Sequence, residues 1–146
     1  MNFSKFDIRM FNEAHKEAKK STYKRRSQHV GAVITYKGHI IGRGFNSNKT
    51  HPLQKEFNRY REYNNAGLYS PDKLHAEISA ICSVSYPVGI NVRWDKVKVY
   101  VCRIVKNDEV ACARPCKACE NLMRSIGISG CYYTENNNCL AYIEYR

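Results

Sequence analysis

Two cysteines three positions apart are the residues of this sequence whose spacing most clearly suggests chemistry. They stand in the run RPCKACE at residues 114–120, where Pro115 directly precedes Cys116 and Cys119 follows one helical turn later. At the start of a helix, side chains at i and i+3 share a face, so both thiols can approach one ion. The positive end of the helix also favours their thiolate forms. The pair is therefore either a dithiol redox pair or half of a metal site.

A histidine followed by a carboxylate two residues later occurs twice and offers the missing ligand. HKE at 15–17 lies inside a predicted helix, where side chains two positions apart point roughly 200° apart. HAE at 75–77 lies at a predicted helix start, where both groups can face one site. We therefore choose His75 as the third ligand and Glu77 as an acid beside the metal. Three protein ligands leave one position open, as a catalytic zinc site requires.

Other interpretations of the cysteines stay open. Cys112 could act as a fourth ligand and make the site structural, although Glu77 would then have no purpose. A thioredoxin-like redox pair fits less well, because the surrounding strand order lacks that context. Four further cysteines fall on apolar faces and are interpreted as small core residues: Cys82, Cys102, Cys131 and Cys139.

The elements that must position these residues follow from periodicity and turn signals. Helices are predicted from Ser4 to about residue 20, near 52–60, from about 71 to 82, and at 116–126. Strands are predicted in a hairpin at 29–46 that turns at Lys37-Gly38, and at 96–105, 130–134 and 140–145. The order α-β-β-(α)-α-β-α-β-β predicts an α/β layer arrangement in a single domain, residues 1–146.

The motifs H-A-E at 75–77 and P-C-x-x-C at 115–119 together resemble the zinc-dependent cytidine and deoxycytidylate deaminase superfamily. The resemblance runs from about residue 5 to 135 and includes the predicted hairpin segments VGAVI (30–34) and GRGFN (42–46). It implies a three-layer α/β/α fold with a central mixed sheet of about five strands. It also implies an enzyme with bound Zn²⁺.

The resemblance assigns the zinc to His75, Cys116 and Cys119 and proton transfer to Glu77. Hydrolytic deamination needs a reactive water at neutral pH, which a bound zinc supplies by lowering the pKa of that water. Glu77 would take the water's proton, pass it to the ring nitrogen and help the amine leave as ammonia.

Four more residues are expected to contact the substrate. The resemblance implies that Asn46 meets the sugar or base and that the backbone N–H of Ala76 meets the base carbonyl. A phosphate needs only one or two cations, such as Arg43 or Lys49 near Asn46. GRGFN and the insertion at about 47–73 resemble deoxycytidylate-type enzymes, so the substrate expected is a cytosine nucleotide such as dCMP.

The net charge of +11, from 24 basic and 13 acidic residues, favours anionic partners. It also supports two alternatives: a deaminase acting on a base within tRNA or single-stranded DNA, and a non-catalytic zinc-stabilised module that binds nucleic acid. The basic run 16–26 and the aromatic-arginine run FNRYREY at 57–63 suit either alternative, but both could be solvated or packed helix faces.

The N-terminal sequence has no apolar stretch typical of a signal peptide, and no apolar run reaches membrane-spanning length. We therefore expect a cytoplasmic protein without membrane contact. The family resemblance further predicts a homo-oligomer.

Overall fold

The computed structural model describes residues 3–23, 28–60, 73–84 and 91–145. Its helices are α1 (Lys5–Ala18), α2 (Pro52–Phe57), α3 (Ala76–Cys82) and α4 (Lys117–Ile126). Its strands are β1 (His29–Tyr36), β2 (His39–Phe45), β3 (Lys98–Ile104), β4 (Val110–Ala111), β5 (Gly130–Thr134) and β6 (Leu140–Glu144). Parts of the basic run (24–26), of FNRYREY (61–63) and of the insertion (61–72) lie outside the described residues.

The strands form one mixed sheet in the order β2-β1-β3-β5-β6, with β4 paired to the end of β3. Strands β3 and β5 are parallel, whereas the other paired strands are antiparallel. Helix α4 lies in the connection between β3 and β5, which such a parallel pair requires. The predicted fold class is confirmed, and β4 is an addition to the predicted elements.

Helices cover both faces of the sheet, because side chains alternate along each strand. In β1, Val33 belongs to the core cluster that includes α1, whereas Ala32 and Ile34 belong to the cluster that includes α3 and α4. The result is the expected α/β/α layering. Among the described residues, no helix has the length and apolar character needed to cross a membrane.

Two glycines allow the helices to approach the sheet closely on its two faces. A Cβ atom on Gly31 would lie 2.2 Å from the backbone nitrogen of Ala18 in α1. A Cβ atom on Gly44 would lie 2.4 Å from the backbone nitrogen of Ala80 in α3. Ordinary Cβ contacts begin at 3.4 Å, so neither position has room for a side chain. Helix α3 therefore rests directly on the backbone of β2.

Candidate active site

The side chains of His75, Cys116 and Cys119 form one cluster between the starts of α3 and α4. The His75 Nδ1 atom lies 3.5 Å from the Sγ atom of each cysteine, and the three ligand atoms lie within 4.8 Å of one another. A tetrahedral zinc bonded at about 2.1 Å to nitrogen and about 2.3 Å to sulfur would separate N and S by about 3.6 Å. Both observed N–S distances are close to this value, so the cluster is spaced as a zinc site requires.

Helix starts position the ligands. His75 and Cys116 are the N-cap residues of α3 and α4, with extended backbones, and neither side chain caps its helix. Both side chains instead face the cluster, joined by the buried Cys119 from the first turn of α4. The backbone N–H of His75 donates to the side-chain oxygen of Gln54 at 3.0 Å. Gln54 is fully buried and donates to Asn58 at 2.8 Å, so the segment containing α2 holds the start of α3.

The two thiols differ in acidity because they interact directly. A hydrogen bond from Cys119 lowers the pKa of Cys116 to about 3, and the nearby His75 contributes while burial opposes the shift. The pKa of Cys119 is raised, because it is the partner in that hydrogen bond and because it is buried. Both thiols can be thiolates together only when a cation offsets their charges. The donor set is thus suited to Zn²⁺.

Glu77 lies on the first turn of α3 and is 6% exposed. Burial raises the pKa of its carboxyl group, against the opposing charge of His75. A carboxyl group with a raised pKa can both accept and donate a proton near neutral pH.

Cys112 does not join the metal cluster. Its Sγ atom lies 3.5 Å from the Oε1 atom of Glu135, to which the thiol donates. Within the described ranges, the cluster therefore offers three ligands rather than the four of a structural zinc site.

A cavity of about 270 Å³ opens beside the cluster. His75, Ala76, Glu77 and Cys116 line it from the starts of the two helices. Its remaining wall includes Tyr23, Gln28, Asn46, Lys73, Arg103 and Arg114.

Two of the expected substrate contacts, Asn46 and Ala76, line this cavity. The Asn46 Oδ1 atom accepts hydrogen bonds from the Ser21 hydroxyl at 2.6 Å and from the Val30 N–H at 2.9 Å. Its Nδ2 atom donates to the Gln28 carbonyl at 2.5 Å. These three bonds fix the orientation of the amide at the cavity wall.

The other two expected contacts, Arg43 and Lys49, are not among the lining residues. The Arg43 guanidinium lies 3.0 Å from Glu13 and 3.5 Å from Glu17, both on α1. Lys49 is exposed. The structure therefore directs the Arg43 side chain to α1 rather than to the cavity.

Sequence reasoning missed three cations that line the cavity, Lys73, Arg103 and Arg114. A signal for two of them was present, because Lys73 precedes His75 by two residues and Arg114 precedes Cys116 by two. Arg103 lies near the end of β3, outside both motifs, and reaches the cavity because of the position of β3 in the sheet.

Comparison with protein families matches residues 4–135 to the cytidine and deoxycytidylate deaminase zinc-binding region. No curated protein matches the sequence significantly.

Solved structures with similar folds include deaminases from several sources. The dCMP deaminase of cyanophage S-TIM5, in complex with dCMP and dUMP, has a TM-score of 0.60 at 18% identity, over 93% of this chain and 85% of its own. The cytidine deaminase of Burkholderia pseudomallei has a TM-score of 0.60 at 17% identity, over 94% of this chain and 91% of its own. A Thermotoga maritima diaminohydroxyphosphoribosylaminopyrimidine deaminase/5-amino-6-(5-phosphoribosylamino)uracil reductase has a TM-score of 0.50 at 23% identity, over 90% of this chain but 30% of its own. These likenesses show the cytidine-deaminase-like fold.

Proposed function

Since the chain belongs to the cytidine and deoxycytidylate deaminase family, we propose that it is a zinc-dependent hydrolase that deaminates a cytosine nucleotide of the dCMP type. The observation that carries this proposal is the three-ligand cluster of His75, Cys116 and Cys119 beside the buried Glu77 in the cavity wall. Three ligands leave one position for water, and a buried carboxyl group that is not a ligand suits proton transfer.

The reaction consumes water and converts the cytosine ring to uracil with release of ammonia. Zinc held by His75, Cys116 and Cys119 would supply a water molecule acidic enough to attack at neutral pH. The Glu77 carboxylate accepts a proton from this water and delivers it to the ring nitrogen beside the attacked carbon. Glu77 would then take the second proton, from the hydroxyl group now bonded to the ring carbon, and pass it to the amine. The carbon–nitrogen bond breaks, the amine leaves as ammonia and the hydroxyl oxygen becomes the uracil carbonyl. A raised pKa suits these successive transfers, because the group must hold a proton between steps.

Two further residues orient the base in this proposal. Ala76 is the first residue of α3, and the first backbone N–H groups of a helix have no partner within it. That N–H would donate to the base carbonyl, while the fixed amide of Asn46 would meet the sugar. The choice of a nucleotide draws on the phage dCMP deaminase, whose structure contains dCMP and dUMP.

The test is ammonia release from dCMP, deoxycytidine, adenosine monophosphate, single-stranded DNA and tRNA by the zinc-loaded protein. We expect turnover of dCMP, and Glu77→Gln should retain zinc and thermal stability but lose turnover by several orders of magnitude. Loss of zinc in Glu77→Gln would instead make Glu77 a ligand. Turnover of an adenine compound alone would overturn the choice of base.

A base within a polynucleotide is the second candidate substrate, favoured by the net charge of +11. Repeating the assay at two salt concentrations separates the two, because binding through several phosphates weakens steeply with salt. Zinc binding without turnover of any compound would favour the non-catalytic nucleic-acid-binding module. A single domain over residues 1–146, a homo-oligomer and a cytoplasmic location stay predictions.

A further inference from the structure

The charges around the cavity are unbalanced. Among the described residues that line it, Lys73, Arg103 and Arg114 are cationic, and Glu77 carries the only carboxyl group. Glu77 is buried next to the metal cluster, whereas Arg114 is exposed. The wall away from the metal cluster is therefore positive, which benefits an anionic ligand and gives an uncharged nucleoside no gain.

Arg103 is held at the cavity wall by hydrogen bonds from two parts of the residue. Its backbone N–H donates to the Thr134 hydroxyl at 3.2 Å, and its Nη1 atom donates to the Cys112 carbonyl at 3.2 Å. Pairing of β3 with β4 sets Arg103 opposite Ala111, which brings Cys112 within reach. A guanidinium has five N–H donors, so it can bind a phosphate through two while another stays on a carbonyl.

Arg114 stands two residues before the metal-binding Cys116, in a segment without helix or strand. Two residues of extended chain span about 7 Å, so the Cα atom of Arg114 lies at most about this far from the Cα atom of Cys116. None of the ion pairs recorded within the described ranges involves Arg114. Arg114 lines the same cavity as the metal cluster, so its side chain can contact a ligand whose base is seated at that cluster.

We propose that Arg103 and Arg114 form a phosphate-binding pair in this cavity and make the chain selective for nucleoside 5′-monophosphates over nucleosides. The identity of the base in this inference rests on the proposed function, but the phosphate contact does not. Arginine suits the role because its planar fork binds two phosphate oxygens at once. Arg43, the phosphate contact expected from the sequence, is paired with Glu13 and Glu17 instead.

The experiment compares dCMP with deoxycytidine in three variants. Arg114→Gln and Arg103→Gln should each lower kcat/KM for dCMP about 10- to 100-fold, mainly through KM, because each removes charge-assisted hydrogen bonds. The loss for deoxycytidine should be at least ten times smaller. Arg93→Gln is the matched control, since Arg93 is exposed, pairs with Asp95 at 2.9 Å and does not line the cavity. It should change neither substrate's kinetics by more than about two-fold, the range of most surface changes.

A binding measurement separates this inference from the proposed reaction. Calorimetry with Glu77→Gln, which removes turnover in the proposed mechanism, should give tighter binding of dCMP than of deoxycytidine, and adding Arg114→Gln should remove most of the difference. If these binding differences are found but the parent protein turns over neither compound, the phosphate pair is supported and the deaminase proposal is rejected. The phosphate pair would be overturned by either of two results in an Arg114→Gln variant that keeps its thermal midpoint. One is an equal loss of affinity for dCMP and for deoxycytidine, and the other is an unchanged affinity for dCMP. Arg114 is exposed, so this variant should fold even if Arg103→Gln does not.

Discussion

Replacing Gly44 with alanine would push α3 away from the sheet. The new Cβ atom would lie 2.4 Å from the Ala80 nitrogen and 2.8 Å from the Ala76 carbonyl oxygen, whereas ordinary contact begins at 3.4 Å. The helix must therefore retreat by about 1 Å, the difference between 3.4 and 2.4 Å. Rotation of a side chain cannot relieve this contact, because the opposing atoms belong to the backbone.

Both stability and metal binding should suffer. Overpacking a well-packed interior costs about 1–3 kcal/mol, and contacts to several backbone atoms at once favour a value of about 3 kcal/mol. Helix α3 also carries Glu77 and begins directly after His75. Metal–ligand distances tolerate only about 0.2 Å, so we expect zinc affinity to fall at least ten-fold, or about 1.4 kcal/mol.

Gly31→Ala is the matched control, because it produces the same kind of clash on the opposite face. Its Cβ atom would lie 2.2 Å from the Ala18 nitrogen in α1, which carries none of the candidate zinc ligands. Urea unfolding gives the stability of each variant, and competition with a chromophoric chelator under conditions where both are folded gives the zinc Kd. Both variants should be destabilised, but only Gly44→Ala should bind zinc more weakly. Equal zinc affinities in the two variants would refute the argument that β2 sets the position of the ligands.

Three further predictions concern the metal, the core and the support of α3. Purified protein should contain one zinc per chain by metal analysis, lost in Cys116→Ser but kept in Cys139→Ser; metal retained in both would contradict the assignment. Cys139 suits the control because it is exposed, as is Cys82, whereas the sequence predicted both to lie in the core. Tyr100→Phe removes the 2.6 Å hydrogen bond to Asp7 and should cost about 2 kcal/mol at pH 7 by urea unfolding. Burial alone raises the pKa of Asp7, but the hydrogen bond from Tyr100 and other contacts hold that pKa below 3.8 in the folded protein. The stabilisation is therefore present above about pH 4 and is lost as pH falls through the lower, folded-state pKa. A constant difference down to pH 2 would refute that linkage. Gln54→Ala leaves the His75 N–H without its partner and should lower the unfolding free energy by about 1–3 kcal/mol; an unchanged value would mean that water replaces the amide.

The features that sequence reasoning predicted correctly depend on neighbouring residues. The turn at Lys37-Gly38 has φ angles of 51° and 79°, as a tight hairpin turn between antiparallel strands requires. The H-A-E and P-C-x-x-C motifs each occupy a helix start, where the local backbone orients the side chains. Helix periodicity and turn residues therefore sufficed to place them, and the family resemblance brought the two motifs into one site.

What the sequence could not reveal depends on contacts between distant residues. Arg43 looked available beside Asn46, but its partner Glu13 lies 30 positions away on α1. Strand β4 has only two residues, too few for an alternating pattern, yet its pairing brings Cys112 to Arg103. Charge pairing and strand pairing of this kind are consequences of the fold, so a local sequence pattern cannot predict them.

The candidate zinc ligands come from helix starts 41 residues apart in the chain, in a protein whose seven cysteines are all unpaired. An ion held there would act as a reversible cross-link between α3 and α4. The ion would close this loop of 41 residues only in the folded state, so it would stabilise the fold by its binding free energy, about 2.7 kcal/mol when free zinc is at 100 times its Kd. Depleting the ion would reopen that loop and expose the chain between the two helices to proteases. Resistance to proteolysis should therefore rise with the concentration of free zinc, independently of any reaction that the molecule performs.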